Sequence, residues 1–260
     1  MSTSHQETQK STNQAQSEQA AQNRQKPISK FGTSVTTFHN VVQMTSWFVL
    51  LFVLLFNLLT NGQDTLYRIR ETLPNFIFCY QLVQIDMTFE IVYTILGWQR
   101  ANVVSLFFQT LGRVIFGLVS LPKFVNVPES PAITVTLLMF CVVESFRYAF
   151  YLSKQFNKDQ TFIGRFLGWF RYNGFIVCYP IGALGENIVL WNAKDIVYQE
   201  KFMAFEMPNS YNFTFRLGDF MFIAPFLYCI IFPQIYMYLL KQRTRYYREL
   251  RQPQNKNKSQ

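Results

Sequence analysis

Histidine is nearly missing from this 260-residue chain: two occur, His5 in a polar tail and His39 just ahead of the first apolar run. A membrane diiron centre needs many histidines and a His-dependent hydrolase needs one in its core, so neither is expected. Acid–base chemistry must then rest on Glu, Asp, Tyr, Lys or Arg. Cysteine is sparse as well. Cys79, Cys141, Cys178 and Cys229 sit singly inside apolar stretches, with no CxxC and no spacing of a zinc site or disulfide framework. They read as small core hydrophobes, and no metal or redox cofactor is expected. Charge is the third shortage, at 15% of residues against roughly 25% in a soluble globular chain. In its place stand apolar side chains, half of the total, and aromatics at 18%, with 28 Phe and 14 Tyr. The net charge of +9 gathers at the tails and between apolar runs, where it reports membrane topology. No nucleic-acid partner is expected.

Residues 1 to about 30 are rich in Gln, Ser, Thr, Asn and Ala. They carry too few large apolar side chains to fold and lack the apolar h-region of a secretory leader. A disordered polar tail is expected over 1–34, with the first membrane helix directing insertion. Between Lys30 and Asp64 there is no Lys, Arg, Asp or Glu, and Val41 to Thr60 matches the length of about 20 residues that a span requires. Phe220 to Leu240 is a second uncharged run, interrupted only by Pro225 and Pro233; proline is tolerated where neighbouring helices re-satisfy the backbone. Four weaker segments lie between, near 75–97, 101–122, 131–153 and 164–186. The expected fold is therefore all-α: a polytopic membrane domain of six transmembrane helices over 35–245, followed by a basic cytoplasmic tail, 246–260. Counting Lys and Arg near the helix ends gives fourteen on the side of the termini against six opposite, which points to both termini in the cytoplasm.

The weaker segments contain Asp86, Glu90, Arg113, Glu144, Arg147, Arg171 and Glu186. A charge at the bilayer centre costs at least about 2.5–3.5 kcal/mol, so such residues are functional candidates, or pair with one another to hold helices together. Glu144 and Arg147 are three apart on one helix face, with Tyr148 and Tyr151 following. In the next segment Tyr172, Tyr179 and Glu186 recur every seven residues, nearly one face of a helix at 1.5 Å rise per residue. Pro180, Gly182 and Gly185 fall there too, so a kink or opening that draws the phenol and carboxyl together is expected.

These residues form ordered motifs. Glu144-Ser145-Phe146-Arg147-Tyr148-Ala149-Phe150-Tyr151 resembles the ExxRYxFY signature of the eukaryotic very-long-chain 3-hydroxyacyl-CoA dehydratases. Arg171-Tyr172-Asn173, then Tyr179-Pro180-Ile181-Gly182 and Glu186, is similar to that family's RYxxFxxxYPxGxxxE stretch. His39-Asn40 through Trp47, Gln84, Phe89-Glu90, Gly97, Gln109 and Arg113, and later Pro208-Asn209, Asn212 to Phe215, Phe232-Pro233 and Tyr236, extend the resemblance over about residues 38 to 245. Departures are Phe140 where the family usually has Trp, Tyr93 for His, Gly112 for Ser, and Arg216 for an acidic residue. The family is also called protein-tyrosine-phosphatase-like. Thr94 occupies the position of the phosphatase cysteine, so thiolate chemistry there is excluded.

The resemblance implies dehydration of a very-long-chain 3-hydroxyacyl-CoA to the trans-2-enoyl-CoA, the third step of fatty-acid elongation. Tyr179 and Glu186 match the catalytic acid–base pair, and Arg113, Arg147 or Tyr148 are candidate donors to the thioester oxygen. Glu144, Arg171 and Tyr172 are supporting candidates. The implied partners are the long-chain acyl-CoA, membrane lipid, and the elongase and reductases of the cycle, with CoA at the basic cytoplasmic face. Residence in the endoplasmic reticulum membrane is expected, and Lys256 and Lys258 near the last residue resemble a dilysine retrieval signal. A transporter and a catalytically silent scaffold of the elongation complex are the competing readings.

Overall fold

A computed structural model describes residues 28–101, 103–121, 130–208, 210 and 212–251. The expected polar tail up to residue 27 and the two terminal lysines lie outside the described residues. The chain is mostly helical. Helix α1, Lys30–Asn61, opens on Ser29, whose hydroxyl accepts the Gly32 amide at 3.0 Å and satisfies one of the unpaired donors of the first turn. The helix starts at Lys30, well before the expected span of Val41 to Thr60, and Thr and Ser in this stretch turn their hydroxyls back to carbonyls one turn earlier, as Thr36 does to Gly32 at 2.9 Å. His39, just ahead of the first apolar run in sequence, thus lies inside the helix and is buried.

Two short helices, α2 (Gln63–Tyr67) and α3 (Ile69–Thr72), lead to α4, Phe76–Ile95. Gly97, with φ +72°, turns the chain after α4 in a conformation that costs a residue with a Cβ. Helix α5, Val103–Val114, widens into a π-helical segment, Ile115–Ser120. Helix α6, Pro131–Gln155, is capped by Ser130 with Pro131 in its first turn, where a missing N–H costs nothing. Helix α7, Phe162–Gln199, is capped by Thr161 and runs unbroken through Pro180. The expected opening at Pro180 is therefore not seen. A two-stranded antiparallel ladder, β1 (Ala204–Phe205) with β2 (Phe215–Arg216), precedes α8, Leu217–Arg251, which contains Pro225 and Pro233.

Among the described residues four helices, α1, α6, α7 and α8, are long and apolar enough to cross a membrane. Of the six expected spans, the second and third fall short for different reasons. Gln81, Gln84, Asp86 and Glu90 make α4 more polar, and α5 is brief.

Helix α6 is the centre: its apolar window is 72% buried, against 11% for α8. It packs on α1 and α7, α8 lies against α7, and α4 bridges α1 and the π-helical segment. A run of edge-to-face rings crosses four of these elements, from Trp47 to Tyr80 at 5.8 Å, Phe116 at 6.5 Å and Phe140 at 5.7 Å. Each such pair adds about 0.5–1.5 kcal/mol beyond area burial. The outer surface is apolar, with Phe52, Leu59, Phe78 and Phe162 exposed, as a surface facing lipid should be.

Candidate active site

Most of the intramembrane charges meet in one buried network. Glu144 is fully buried on α6, and both its oxygens are engaged. Arg113 of α5 donates to Oε1, and Nε of Arg147 lies 2.6 Å from Oε2. Arg147 also reaches Glu90 of α4 through Nη2 at 2.9 Å, and the Tyr148 hydroxyl donates to the same Glu90 oxygen. Two carboxylates are thus held by two guanidiniums, the condition under which buried charge is tolerated. His39 of α1 borders the network, 3.4 Å from Asp86 and 4.0 Å from Glu90. Gln43 donates to Asp86 at 2.8 Å and accepts from Trp47 at 2.7 Å. Helices α1, α4, α5 and α6 are tied together in this way. Thr94 adds a hydroxyl bond to the Glu90 carbonyl at 2.7 Å.

Tyr179 and Glu186 stand apart from this network. Both line a cavity of about 210 Å³ between α5, α6, α7 and α8, walled mainly by apolar side chains such as Met139, Leu190, Leu227 and Ile231. Two helical turns separate them on α7, so a straight helix suffices to aim both into one space. Glu186 is buried; its Oε2 accepts a hydrogen bond from the Tyr228 hydroxyl of α8, while Oε1 has no partner among the described residues. Gly112 makes the room. A Cβ there would sit 3.2 Å from Oε1 of Glu186 and 3.3 Å from the Tyr228 oxygen. Tyr179 is half-buried, edge-on to Phe175 at 5.9 Å, and lies within electrostatic reach of Arg113 and Arg171. Arg113 lines the same cavity with its guanidinium 5.0 Å from the Phe140 ring, so the position that departs from Trp still offers a π-face.

A second cavity, about 790 Å³ and much more polar, lies on the other side of Gln109, which lines both. Arg147 and Glu90 stand at its inner end, Arg171 on its wall, and Arg100 and Arg245 at its exposed rim. Tyr172 is placed elsewhere, stacked on Tyr246 of α8 at 4.1 Å. Among the described residues no cluster of three or more His, Cys, Asp or Glu is arranged to hold a metal ion.

The model of the protein tyrosine phosphatase-like protein family, PTPLA, matches residues 84–249, a stretch that contains both cavities and the network apart from its α1 members. The chain belongs to this family. Among curated relatives, the very-long-chain (3R)-3-hydroxyacyl-CoA dehydratase 1 of Canis lupus familiaris is 27% identical over 232 residues, 88% of this chain and 89% of the relative. Dehydratase 2 of Homo sapiens is 28% identical over 213 residues, covering 81% and 80%. A dehydratase of Caenorhabditis elegans is 29% identical over 213 residues, covering 81% and 94%. No solved structure matches.

Within this PTPLA chain two participants escape a reading of the sequence. Tyr228 sits in a run that reads as a plain span. Its signal was the phenol itself, since a hydroxyl buried in an apolar helix needs a partner. His39 reads only as a residue just ahead of the first apolar run, whose own segment offers it no charged partner. The Asp86 and Glu90 carboxylates that face it come from another helix.

Proposed function

We propose that this chain is a hydro-lyase that removes water from a very-long-chain 3-hydroxyacyl-CoA, with Tyr179 and Glu186 as the acid–base pair. The observation that carries the reading is a phenol and a carboxyl in one apolar cavity, the carboxyl with one oxygen that has no hydrogen-bond partner among the described residues. The reaction breaks the C2–H and C3–O bonds and forms the C2=C3 double bond. One group takes the C2 proton and the other delivers a proton to the departing hydroxyl, so water leaves and the thioester stays intact. Positioned groups of this kind contribute about 10²–10⁴ in rate each. Tyr228 holds the Glu186 carboxyl in place, and Arg113, beside both, supplies positive potential where the thioester oxygen gains charge. The apolar walls receive the acyl chain next to the reacting carbons. The curated relatives named above as very-long-chain (3R)-3-hydroxyacyl-CoA dehydratases support this assignment. No redox or metal cofactor is required for such chemistry.

The same reading places the enzyme in the third step of fatty-acid elongation, in the endoplasmic reticulum membrane, beside elongase and reductases. Its α4 and α5 complete six crossings, with both termini in the cytoplasm. The polar residues of α4 turn toward the network, Gln84 and Glu90 being buried, and its other face, with Phe78, Leu82 and Phe89, meets lipid. The test is turnover by the purified chain in detergent, with a long-chain (3R)-3-hydroxyacyl-CoA and the product identified by mass and ultraviolet absorbance. Formation of the trans-2-enoyl thioester is expected. A folded preparation without turnover would return the chain to the transporter or scaffold readings.

A further inference from the structure

The second cavity is built unlike the first. Its lining carries four arginines, Arg100, Arg147, Arg171 and Arg245, against one carboxylate, Glu90. That carboxylate is already bound by Arg147 and Tyr148, so the lining holds no further carboxylate to oppose Arg171. Arg171 is half-buried on α7, and its recorded neighbours are aromatic faces: Tyr151 and Tyr172, each 6.0 Å from the guanidinium carbon. Among the described residues no carboxylate pairs with it, so this guanidinium, walled by rings and lining a polar cavity, keeps donors for a ligand. Its planar fork suits phosphate oxygens, and such charge-assisted bonds are the strong ones. Arg100 and Arg245 extend the positive lining outward to the exposed rim. Gln109 stands between this cavity and the apolar one and lines both.

We infer that this cavity is the binding site for the phosphate-bearing end of the substrate thioester, with Arg171 as the inner phosphate contact and Arg100 and Arg245 as the outer ones. The inference rests on the dehydratase reading for which thioester is bound, but the site itself is an anion site of defined chemistry. The reacting end of the acyl group then enters the space beside Tyr179 and Glu186, and the slender pantetheine arm passes Gln109. Two phosphate sources share this chemistry, the nucleotide end of coenzyme A and the headgroup of an anionic phospholipid, and the size and polarity of the cavity favour the former. It holds about 790 Å³, within the range of about 300–1,000 Å³ typical of small-molecule sites.

The test uses the full chain in detergent or in phosphatidylcholine nanodiscs. Coenzyme A binding is measured by calorimetry on the wild type and on Arg171→Gln, Arg100→Gln and Arg245→Gln. The expected outcome is a loss of about tenfold or more for Arg171→Gln, and several-fold for each rim variant, which are exposed and so leave the fold intact. With substrate, the ratio of KM for the CoA thioester to KM for the phosphate-free pantetheine thioester should rise by the same factors. A structural defect would move both KM values together. Unchanged coenzyme A binding in the folded rim variants together with Arg171→Lys and Arg171→Gln would overturn the site. So would capture of phosphatidylinositol phosphate in nanodiscs with no affinity for coenzyme A, which would reassign the arginines to lipid. Failure of the dehydratase reading looks different: coenzyme A binds with the predicted arginine dependence, but no thioester is dehydrated.

Discussion

Replacing Glu144 with Gln removes the anion that two guanidiniums share. Arg147 keeps Glu90 at 2.9 Å and the Tyr148 hydroxyl at 2.6 Å, so its charge stays compensated. Arg113 is left with the Met87 sulfur at 3.7 Å and the face of Phe140, neither of which matches a carboxylate. Breaking a buried ion pair by removing one partner costs about 3–5 kcal/mol. The lower end, about 3 kcal/mol, is expected here because only one of the two cations is orphaned. For a chain of this size each kcal/mol moves Tm by roughly 2–4 °C, so a fall of about 6–12 °C is predicted. Tryptophan fluorescence during heating of the protein in detergent reports it, at one fixed scan rate because membrane-protein unfolding is kinetically controlled. The cycle with Arg113→Met isolates the cause. In that background the orphaned cation is gone, and Glu144→Gln should cost about 1 kcal/mol, a coupling of the size seen between contacting groups. Equal costs in the two backgrounds would refute the pairing as the source of stability.

Tyr179→Phe and Glu186→Gln should each lower turnover of a long-chain 3-hydroxyacyl-CoA about 10²-fold or more, with the double variant little worse than either; near-normal rates would remove the pair from the mechanism. Tyr228→Phe deletes the hydrogen bond to Glu186, worth about 1.5–3 kcal/mol if the acceptor is charged. kcat should fall roughly ten- to a hundredfold with KM little changed, and the effect should vanish in a Glu186→Gln background. Gly112→Val puts a side chain where a Cβ alone is already 3.2 Å from Glu186, so kcat should drop while the protein still inserts and elutes as a single species; full activity would show that Glu186 is not confined. For the topology, a glycosylation acceptor fused to either terminus should stay unmodified in microsomes, and lumenal modification of either would sink the cytoplasmic assignment.

Much of this protein is decided by composition and order. Apolar runs with capping Ser and Thr and punctuating Pro fix which stretches become helices, since in lipid the backbone must satisfy itself within the segment. The ordering of Glu144, Arg147, Tyr179 and Glu186 was enough to mark the residues worth testing, because charge placed in an apolar run has few uses. Partnership was beyond reach. Glu144 and Arg147 pair as their spacing allows, yet Arg113 and Glu90 close the network from helices 31 and 57 residues away in sequence. Nothing in a linear string encodes which face of one helix meets another. The same holds for Tyr228, which becomes a neighbour of Glu186 only because α8 lies against α7, and for Gly112, a departure from pattern that packing turns into the space Glu186 occupies. The tertiary structure also kept α7 helical through Pro180 and divided the interior into an apolar and an arginine-lined cavity. Helix packing decides both, through contacts among side chains far apart in the chain.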